Sequence, residues 1–336
     1  MKAFQIQAPR TAAVIDVPHL GEAGKGEVLL RVNLVGMCGT DLSTYRGANA
    51  MVAFPRIPGH EVAATVVEGA DDLTPGTAVT VSPYTQCGTC PSCRRGRPNA
   101  CQHNQTMGVQ RDGAMTEYIS VSRGRIYAAN LSLKELCLVE PLTVGAHAAA
   151  RGRVTAGDMV AVFGCGGIGL GAIASAAFRG ASAIAIDMDD KKLEVARKAG
   201  ASFLINTMRQ NLHQRLQEIT EGNGPDVVIE AIGLPLTFRA AVEEVAFTGR
   251  VVYIGYAKEP VSYETRLFVQ KELDILGSRN ALPEDFRDVI RMLEADRFPV
   301  EDAVIAIIPP EQAAATLAEW SGNPGRFTKI QVEFSA

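Results

Sequence analysis

The sequence predicts an α/β protein in which a β-rich domain precedes a doubly wound parallel sheet. The chain has 336 residues. A single hydrophobic core rarely extends over so many residues, so two domains are expected. Its first third holds short runs of alternating apolar residues separated by Gly and Pro. From about Pro141 onward, strand patterns alternate with amphipathic helical patterns, which is typical of a parallel sheet with helices on both faces.

The strands predicted for the first third are Glu27 to Val35, Glu61 to Glu68, Ala78 to Ser82 and Met115 to Val121. At the carboxyl end, Phe327 to Phe334 returns to a strand pattern that could rejoin the first domain. We therefore expect one domain over residues 1–141 and 282–336 and a second over residues 142–281.

The second region carries the alternation that a doubly wound sheet requires. Its predicted strands are Val160 to Phe163, Ala183 to Ile186, Phe203 to Ile205, Val227 to Glu230, Arg250 to Ile254 and Asp274 to Leu276. Its predicted helices are Asp190 to Ala199, Leu212 to Ile219, Leu236 to Val245 and Pro283 to Ala295.

Composition excludes several classes of partner. Basic residues number 33 against 37 acidic ones and form no long run, so nucleic acid is not expected as a partner. Met159 to Phe178 is uncharged, but five glycines and a β-branched first half favour strand, turn and helix over a membrane span. Met1 to Arg10 has no apolar stretch of signal-peptide length, so a cytoplasmic location is expected.

Four cysteines share one loop rich in Gly and Pro. Cys87, Cys90, Cys93 and Cys101 follow the spacing C-x2-C-x2-C-x7-C, which predicts a tetrahedral zinc site. Four thiolates leave no open coordination position, so this zinc, in loop 87–101, should be structural. Two disulfides are the alternative, less favoured in a chain of this size without a secretory segment.

A glycine-rich turn follows the strand predicted at Val160 to Phe163 and opens a helix, a context that indicates dinucleotide binding. The expected cofactor contacts are Gly164, Gly166, Gly167, Ile168, Gly169 and, at the end of the next strand, Asp187. A carboxylate there accepts hydrogen bonds from ribose hydroxyls and repels a 2′-phosphate, so NAD is expected rather than NADP. A glycine turn that binds nothing remains the alternative.

A second metal site is suggested by the motifs Cys38-Gly-Thr-Asp41 and Gly59-His60-Glu61. A thiolate, an imidazole and a carboxylate could hold zinc and leave one position open for chemistry. A buried cysteine that serves only packing is the alternative for Cys38.

The whole chain resembles the zinc-dependent medium-chain alcohol dehydrogenases. The motifs that carry the resemblance, in the family's order, are Cys38-Gly-Thr-Asp41, Gly59-His-Glu61, the four-cysteine loop, Asp112-Gly113 with Glu117-Tyr118, Glu140-Pro-Leu142 and the glycine turn. The resemblance implies a GroES-like catalytic domain, a Rossmann domain that binds NAD, two zinc ions per chain, and a homodimer or homotetramer that contacts through the strand near Asp274.

Within this family the sequence is most similar to the sorbitol and threonine dehydrogenase branch, because Glu140-Pro-Leu142 stands where classical members have a cysteine ligand. The motifs that look most like the L-galactonate and L-idonate 5-dehydrogenases are Tyr45-Arg-Gly47, Phe54-Pro-Arg-Ile-Pro-Gly-His60, Gly277-Ser-Arg-Asn280 and Pro283-Glu-Asp-Phe286. The implied reaction passes hydride from a secondary alcohol of a sugar acid or polyol to NAD.

The resemblance also implies roles for individual residues. Cys38 and His60 would bind the catalytic zinc, with Glu61, Glu140 or water completing the shell. Thr40 would begin a proton relay, and Asp41 would orient His60. Ser43 stands where threonine and many polyol dehydrogenases have histidine, which disfavours L-threonine as the substrate.

A sugar acid would also need a cation for its carboxylate, and the arginines Arg46, Arg111 and Arg279 are the candidates. Arg279 follows a predicted strand at its carboxyl end, where such sheets bind ligands.

Two other classes of function compete with a dehydrogenase of this kind. One is a zinc-stabilised regulatory protein that binds a dinucleotide without turnover, which the fold alone would permit. The other is a zinc-free quinone or enoyl reductase, which both metal signatures and Asp187 disfavour.

Overall fold

The structure, a computed structural model, describes residues 1–68, 70, 72–323 and 327–334. The chain divides into two compact units. Unit 1 comprises Met1–Glu140 and Val300–Ala336, and unit 2 comprises Pro141–Pro299.

Strands dominate unit 1, whereas strands and helices alternate along unit 2. The strands are β1 Lys2–Ala8, β2 Thr11–Asp16, β3 Glu27–Met37, β4 Glu61–Glu68, β5 Ala78–Val81, β6 Tyr118–Ser122, β7 Ile126–Ala128, β8 Met159–Phe163, β9 Ser182–Asp187, β10 Ala201–Asn206, β11 Val227–Glu230, β12 Arg250–Tyr253, β13 Asp274–Gly277, β14 Val304–Ile308 and β15 Lys329–Glu333. The helices are α1 Gly39–Tyr45, α2 Pro91–Arg94, α3 Leu133–Arg151, α4 Gly167–Phe178, α5 Asp190–Lys198, α6 Leu212–Ile219, α7 Pro235–Glu244, α8 Arg266–Gln270, α9 Pro283–Glu294, α10 Val300–Ala303 and α11 Ala313–Gly322. Short 3-10 turns cover Pro98–Ala100, Arg123–Arg125 and Pro310–Gln312.

Unit 1 is built on a mostly antiparallel sheet in the order β14-β15-β3-β4-β5-β7, with β6 also paired to β3. The return of the carboxyl end to the first domain is confirmed, because β15 runs antiparallel to β3 with Val332 opposite Val35. Its core contains large buried side chains such as Phe4, Leu30 and Met115. The sheet brings the carboxyl end of β3 beside the start of β4.

Unit 2 is a six-stranded parallel sheet in the order β10-β9-β8-β11-β12-β13, and the six predicted strands are confirmed to within two residues. The strand order reverses between β8 and β11. The loops that leave the carboxyl ends of these two strands therefore diverge and open a crevice, where ligands of such sheets bind.

The domain boundary differs from the prediction of residue 282. Residues 282–299 belong to unit 2, because α9 packs on α4 and its side chain Asp285 pairs with His147 of α3. The two side chains are buried, and His147 Nδ1 lies 2.8 Å from Asp285 Oδ2. The second segment of unit 1 begins at Val300 instead.

Several elements were not predicted from the sequence. They include the β1-β2 hairpin, β14, α11 and the long helix α3, which contains Pro141. The uncharged stretch Met159 to Phe178 forms β8 and α4, as predicted. Among the described residues, no helix has the length and apolar character needed to cross a bilayer.

The close approach of α3 to α4 depends on Gly145. A Cβ atom at this position would collide with the backbone of α4 at Ile168, Gly171 and Ala172. Gly145→Ala should therefore lower the free energy of unfolding by about 1–3 kcal/mol, as overpacking does. Urea unfolding of the variant and the unaltered protein measures this difference in the free energy of unfolding. Gly277→Ala is the control, since a Cβ there meets nothing within 4 Å; equal stabilities of the two variants would contradict the packing argument.

Candidate metal and cofactor sites

The four-cysteine loop is folded around its sulfur atoms. The Sγ atoms of Cys87, Cys90, Cys93 and Cys101 lie within 4.8 Å of one another, and all four are free thiols. Cys90 Sγ and Cys101 Sγ are 3.8 Å apart. A tetrahedron with zinc–sulfur bonds of about 2.3 Å has edges of about 3.8 Å, whereas a disulfide needs about 2.05 Å. The loop thus fits a closed four-thiolate zinc site.

Backbone N–H groups of the loop point at the same sulfurs. Cys90 N donates to Cys87 Sγ at 3.3 Å, Cys87 N to Cys101 Sγ at 3.4 Å and His103 N to Cys101 Sγ at 3.3 Å. A hydrogen bond from the Ser92 hydroxyl lowers the pKa of Cys90 to about 5. These donors favour the thiolate form, which is the form that binds metal.

The second cluster forms where β3 and β4 meet. Cys38 directly follows β3, His60 precedes β4, and Glu61 begins it opposite Gly36. One ligand atom from each of Cys38, His60 and Glu61 lies within 4.8 Å of the others. The structure therefore brings together three residues that the sequence predicted as a metal site.

The donor set of this cluster fits zinc. His60 is buried and its Nδ1 has no hydrogen-bond partner in the described chain. Burial opposes a charged imidazole, yet Cys38 and other acidic neighbours hold the pKa of His60 well above its usual value. The ring thus lies among acidic groups in a buried site, and a thiolate, an imidazole and a carboxylate are ligand types that zinc binds.

Glu61 also pairs with Lys329, a residue that the sequence did not single out. Lys329 Nζ donates to both oxygens of Glu61, at 2.6 and 2.7 Å, and both side chains are buried. A Cβ at Gly36 would collide with the Glu61 carboxylate, so glycine gives this pair its space. The next inward-facing polar residue of β15, Gln331, is buried as well.

The other candidate glutamate, Glu140, lies near enough to His60 and Glu61 for their charges to interact. It lies buried on α3 and accepts a hydrogen bond from the hydroxyl of Tyr84, and burial raises the pKa of its carboxyl group. Glu140 is not part of the close group formed by Cys38, His60 and Glu61. Tyr84 precedes the cysteine loop, and no motif in the sequence marked it as a partner of Glu140.

Thr40 and Asp41 belong to α1, the helix that begins after Cys38. The half-buried Thr40 has its hydroxyl oxygen 3.7 Å from Cys38 Sγ. Asp41 accepts hydrogen bonds from Cys38 N at 2.9 Å and Gly59 N at 3.4 Å. The predicted contact between Asp41 and the His60 ring is not among the hydrogen bonds of the described chain; Asp41 instead fixes the backbone that carries the cluster.

The glycine turn of unit 2 has the shape that phosphate binding requires. Gly164 has φ +94°, and a Cβ at Gly169 would collide with the carbonyl oxygen of Gly164. A Cβ at Gly166, by contrast, would meet nothing within 4 Å. Gly166 precedes Gly167, the first residue of α4, so open space lies over the N–H groups at this helix end.

Asp187 ends β9 and stabilises the glycine turn. Its Oδ2 accepts a hydrogen bond from Cys165 N at 2.8 Å, and its Oδ1 accepts from Met188 N and Asp189 N. A carboxylate has about four acceptor positions, so capacity remains for a ribose hydroxyl. Ile168 lies on the first turn of α4, beside Gly167 and Gly169.

Two of the three candidate arginines brace the chain of unit 1. Arg46 donates to the hydroxyl and carbonyl oxygens of Ser321, at 3.0 and 2.7 Å. Arg111 donates to the carbonyl oxygens of Gln105 and Pro83, each at 3.2 Å, and burial lowers its pKa. Arg279 is exposed and follows β13 in unit 2.

A closed thiolate site, a mixed cysteine, histidine and glutamate cluster, and a dinucleotide-binding turn together define a zinc-binding, nicotinamide-dependent dehydrogenase. Comparison with known families agrees. Residues 24–130 match the alcohol dehydrogenase GroES-like domain, and residues 167–295 match the zinc-binding dehydrogenase domain.

Relatives extend the similarity over most of the chain. L-galactonate-5-dehydrogenase of Escherichia coli K12 is 32% identical over 88% of this chain and 87% of its own. Sorbitol dehydrogenase of Bacillus subtilis is 34% identical over 82% of this chain and 81% of its own. The crystal structure of the alcohol dehydrogenase RspB from E. coli CFT073 with NADH superposes with a TM-score of 0.90, at 27% identity over 99% of both chains. The chain therefore belongs to the zinc-dependent alcohol dehydrogenase family.

The two clusters should respond differently to loss of one ligand. Cys93→Ser should lower both zinc content and stability, because the loop depends on its metal. Cys38→Ser should also reduce bound zinc from two ions to about one, but with little change in unfolding. Elemental analysis of zinc and thermal unfolding of the purified variants measure both effects. Equal destabilisation by the two substitutions would contradict the division into structural and catalytic metal.

Proposed function

We propose that this protein oxidises a secondary alcohol of a sugar acid or polyol to a ketone, with NAD as the hydride acceptor. The observation that carries the proposal is the cluster of Cys38, His60 and Glu61 in unit 1, with the hydroxyl of Thr40 beside it. Three protein ligands of mixed type leave a fourth coordination position for a substrate, whereas the four thiolates of the other site leave none. The glycine turn and Asp187 of unit 2 support NAD as the cofactor.

In this proposal Cys38 and His60 hold the catalytic zinc, with Glu61 or Glu140 as the third protein ligand, and Cys87, Cys90, Cys93 and Cys101 hold the structural zinc. Bound zinc would supply Lewis acidity toward the substrate oxygen, and NAD would accept the hydride. The protein's own residues provide orientation and proton transfer.

Thr40 receives the proton that leaves the substrate hydroxyl and passes its own proton outward. Asp41 keeps Cys38 and His60 in position through the backbone N–H groups of Cys38 and Gly59. Ser43 cannot take up a proton at neutral pH as histidine can, so we expect the relay to continue through the cofactor ribose and water.

The narrower proposal for the substrate is L-galactonate or L-idonate, oxidised at C5. It is supported by the similarity to an L-galactonate-5-dehydrogenase and by Arg279, which could pair with a carboxylate through its planar guanidinium. Arg279 is exposed after the end of β13, and Arg46 and Arg111, which donate to backbone carbonyls, are the further candidates. The serine at position 43 argues against L-threonine.

We further propose a cytoplasmic homodimer or homotetramer. Seven free cysteines suit a reducing compartment. The edge strand β13 leaves Ile275 41% exposed, and an exposed apolar edge strand is a natural place for another copy to pair.

A substrate panel tests the proposed activity. Zinc-loaded protein should form NADH, followed by its absorbance, with L-galactonate or L-idonate and more slowly with sorbitol, L-threonine or simple alcohols. Cys38→Ser is the control and should lack turnover with every alcohol. Oxidation of L-threonine in preference to the sugar acids would overturn the substrate proposal, and no turnover by a protein that binds both zinc and NAD would overturn the enzymatic one.

Asp187 should determine the preference for NAD. Asp187→Ala removes the ribose acceptor and the negative charge, so kcat/KM with NAD should fall about tenfold while that with NADP rises. Asp187→Asn is the matched control, because it removes the charge but retains an acceptor for ribose. An unchanged ratio of NAD to NADP activity in both variants would show that Asp187 does not contact the ribose.

A further inference from the structure

Glu230, the last residue of β11, is a fully buried carboxylate that the proposed mechanism does not use. Its Oε1 accepts three hydrogen bonds, from Ile232 N at 2.9 Å, Gly233 N at 2.8 Å and the Thr237 hydroxyl at 2.7 Å. All three donors belong to the loop after β11 or to the first turn of α7. One oxygen atom thus organises the whole connection between strand and helix.

The second oxygen of Glu230 is also buried, and it accepts no hydrogen bond from the described residues. It faces Gly255, where a Cβ would lie 2.5 Å from it and 2.5 Å from Gly233 N. Burial of a carboxylate lowers the stability of the fold. An apolar residue would pack in the interior of the sheet as the neighbouring Val228 and Ile229 do. A glutamate at this point therefore indicates a role other than packing.

Its place in the sheet suggests what that role is. Glu230 is paired with Phe163, the last residue of β8. The residue that follows Phe163 in the chain is Gly164 of the glycine turn. A Cβ at Gly164 would lie 2.7 Å from Ile232 Cγ1, so the loop of residues 231–234 packs directly against the turn. Ile232 is 43% exposed there although it is apolar.

The same loop also contacts the chain after β12. A Cβ at Gly233 would lie 2.9 Å from the carbonyl oxygen of Tyr256, and Gly255 N donates to the backbone oxygen of Glu230 at 3.2 Å. The two loops follow β11 and β12, which lie on one side of the point where the strand order reverses. Asp187 of β9 lies on the other side. In a doubly wound sheet each half binds one half of a dinucleotide.

We propose that Glu230 is a positioning residue for the nicotinamide half of the cofactor. It fixes the loop of residues 231–234 between the glycine turn and the loop after β12, so that this wall of the crevice is formed before the cofactor binds. Asp187 serves the adenosine half. The inference rests on the proposed use of NAD.

Calorimetric binding of NADH and of AMP to the full, zinc-loaded chain tests this role. AMP contains the adenosine half alone and should not depend on the loop. Glu230→Ala should weaken NADH binding about tenfold or more, since it leaves the backbone N–H groups of Ile232 and Gly233 without their acceptor. Binding of AMP should stay within about twofold of the unaltered protein.

Milder variants guard against misfolding and provide a rescue. Glu230→Gln retains an oxygen that can accept the three hydrogen bonds, so it should recover much of the NADH affinity. Thr237→Val removes one donor and should weaken NADH binding about threefold. Glu244→Gln is the matched control, because Glu244 is another buried glutamate of unit 2 that pairs with His213, at the far end of α7.

The outcomes separate the inference from the proposed function. Unchanged NADH affinity in the Glu230 and Thr237 variants would overturn the inference about Glu230. Parallel loss of NADH and AMP affinity would overturn it as well, because it would indicate a merely structural role. If the unaltered protein binds zinc but not NADH, the proposed function fails and the inference fails with it.

Discussion

The buried ion pair between Lys329 and Glu61 is the interaction on which the cluster of Cys38, His60 and Glu61 in unit 1 depends. It lies beside Cys38 and His60, and it joins β15 to β4 across β3. Burial acts to lower the pKa of Lys329, but Glu61 and Cys38 raise it, so the amine stays charged. Removing one member of such a pair typically costs about 3–5 kcal/mol. The register of β15, the glycine at position 36 and the position of Glu61 are therefore mutually dependent.

What the sequence predicts well is short-range. The cysteine spacing, the glycine turn and Asp187 lie within strands and loops whose geometry follows from a few neighbouring residues, and the six strands of unit 2 carry strong apolar patterns. Lys329 and Tyr84 could not be identified in the same way. Lys329 is 268 residues from Glu61 along the chain, and only strand pairing brings the two together.

Where the expectations and the structure differ, competing contacts explain the difference. Asp41 accepts hydrogen bonds from two backbone N–H groups near the start of α1, which the family resemblance did not indicate, and its charge also acts on His60. Arg46 and Arg111 look from sequence like available cations, yet they already donate to the carbonyl oxygens of Ser321 and Pro83. The boundary near residue 282 was misplaced because a helix pattern alone does not reveal that Asp285 pairs with His147.

The division of unit 1 between the two ends of the chain sets an order for folding during synthesis. Unit 2 is continuous, so all its strands are synthesised before β14 and β15. Until then β3 presents an open edge, and Glu61 has no counter-ion. The strands of unit 2 can therefore pair with one another before the ion pair between Glu61 and Lys329 forms, because that pair has to wait for β15.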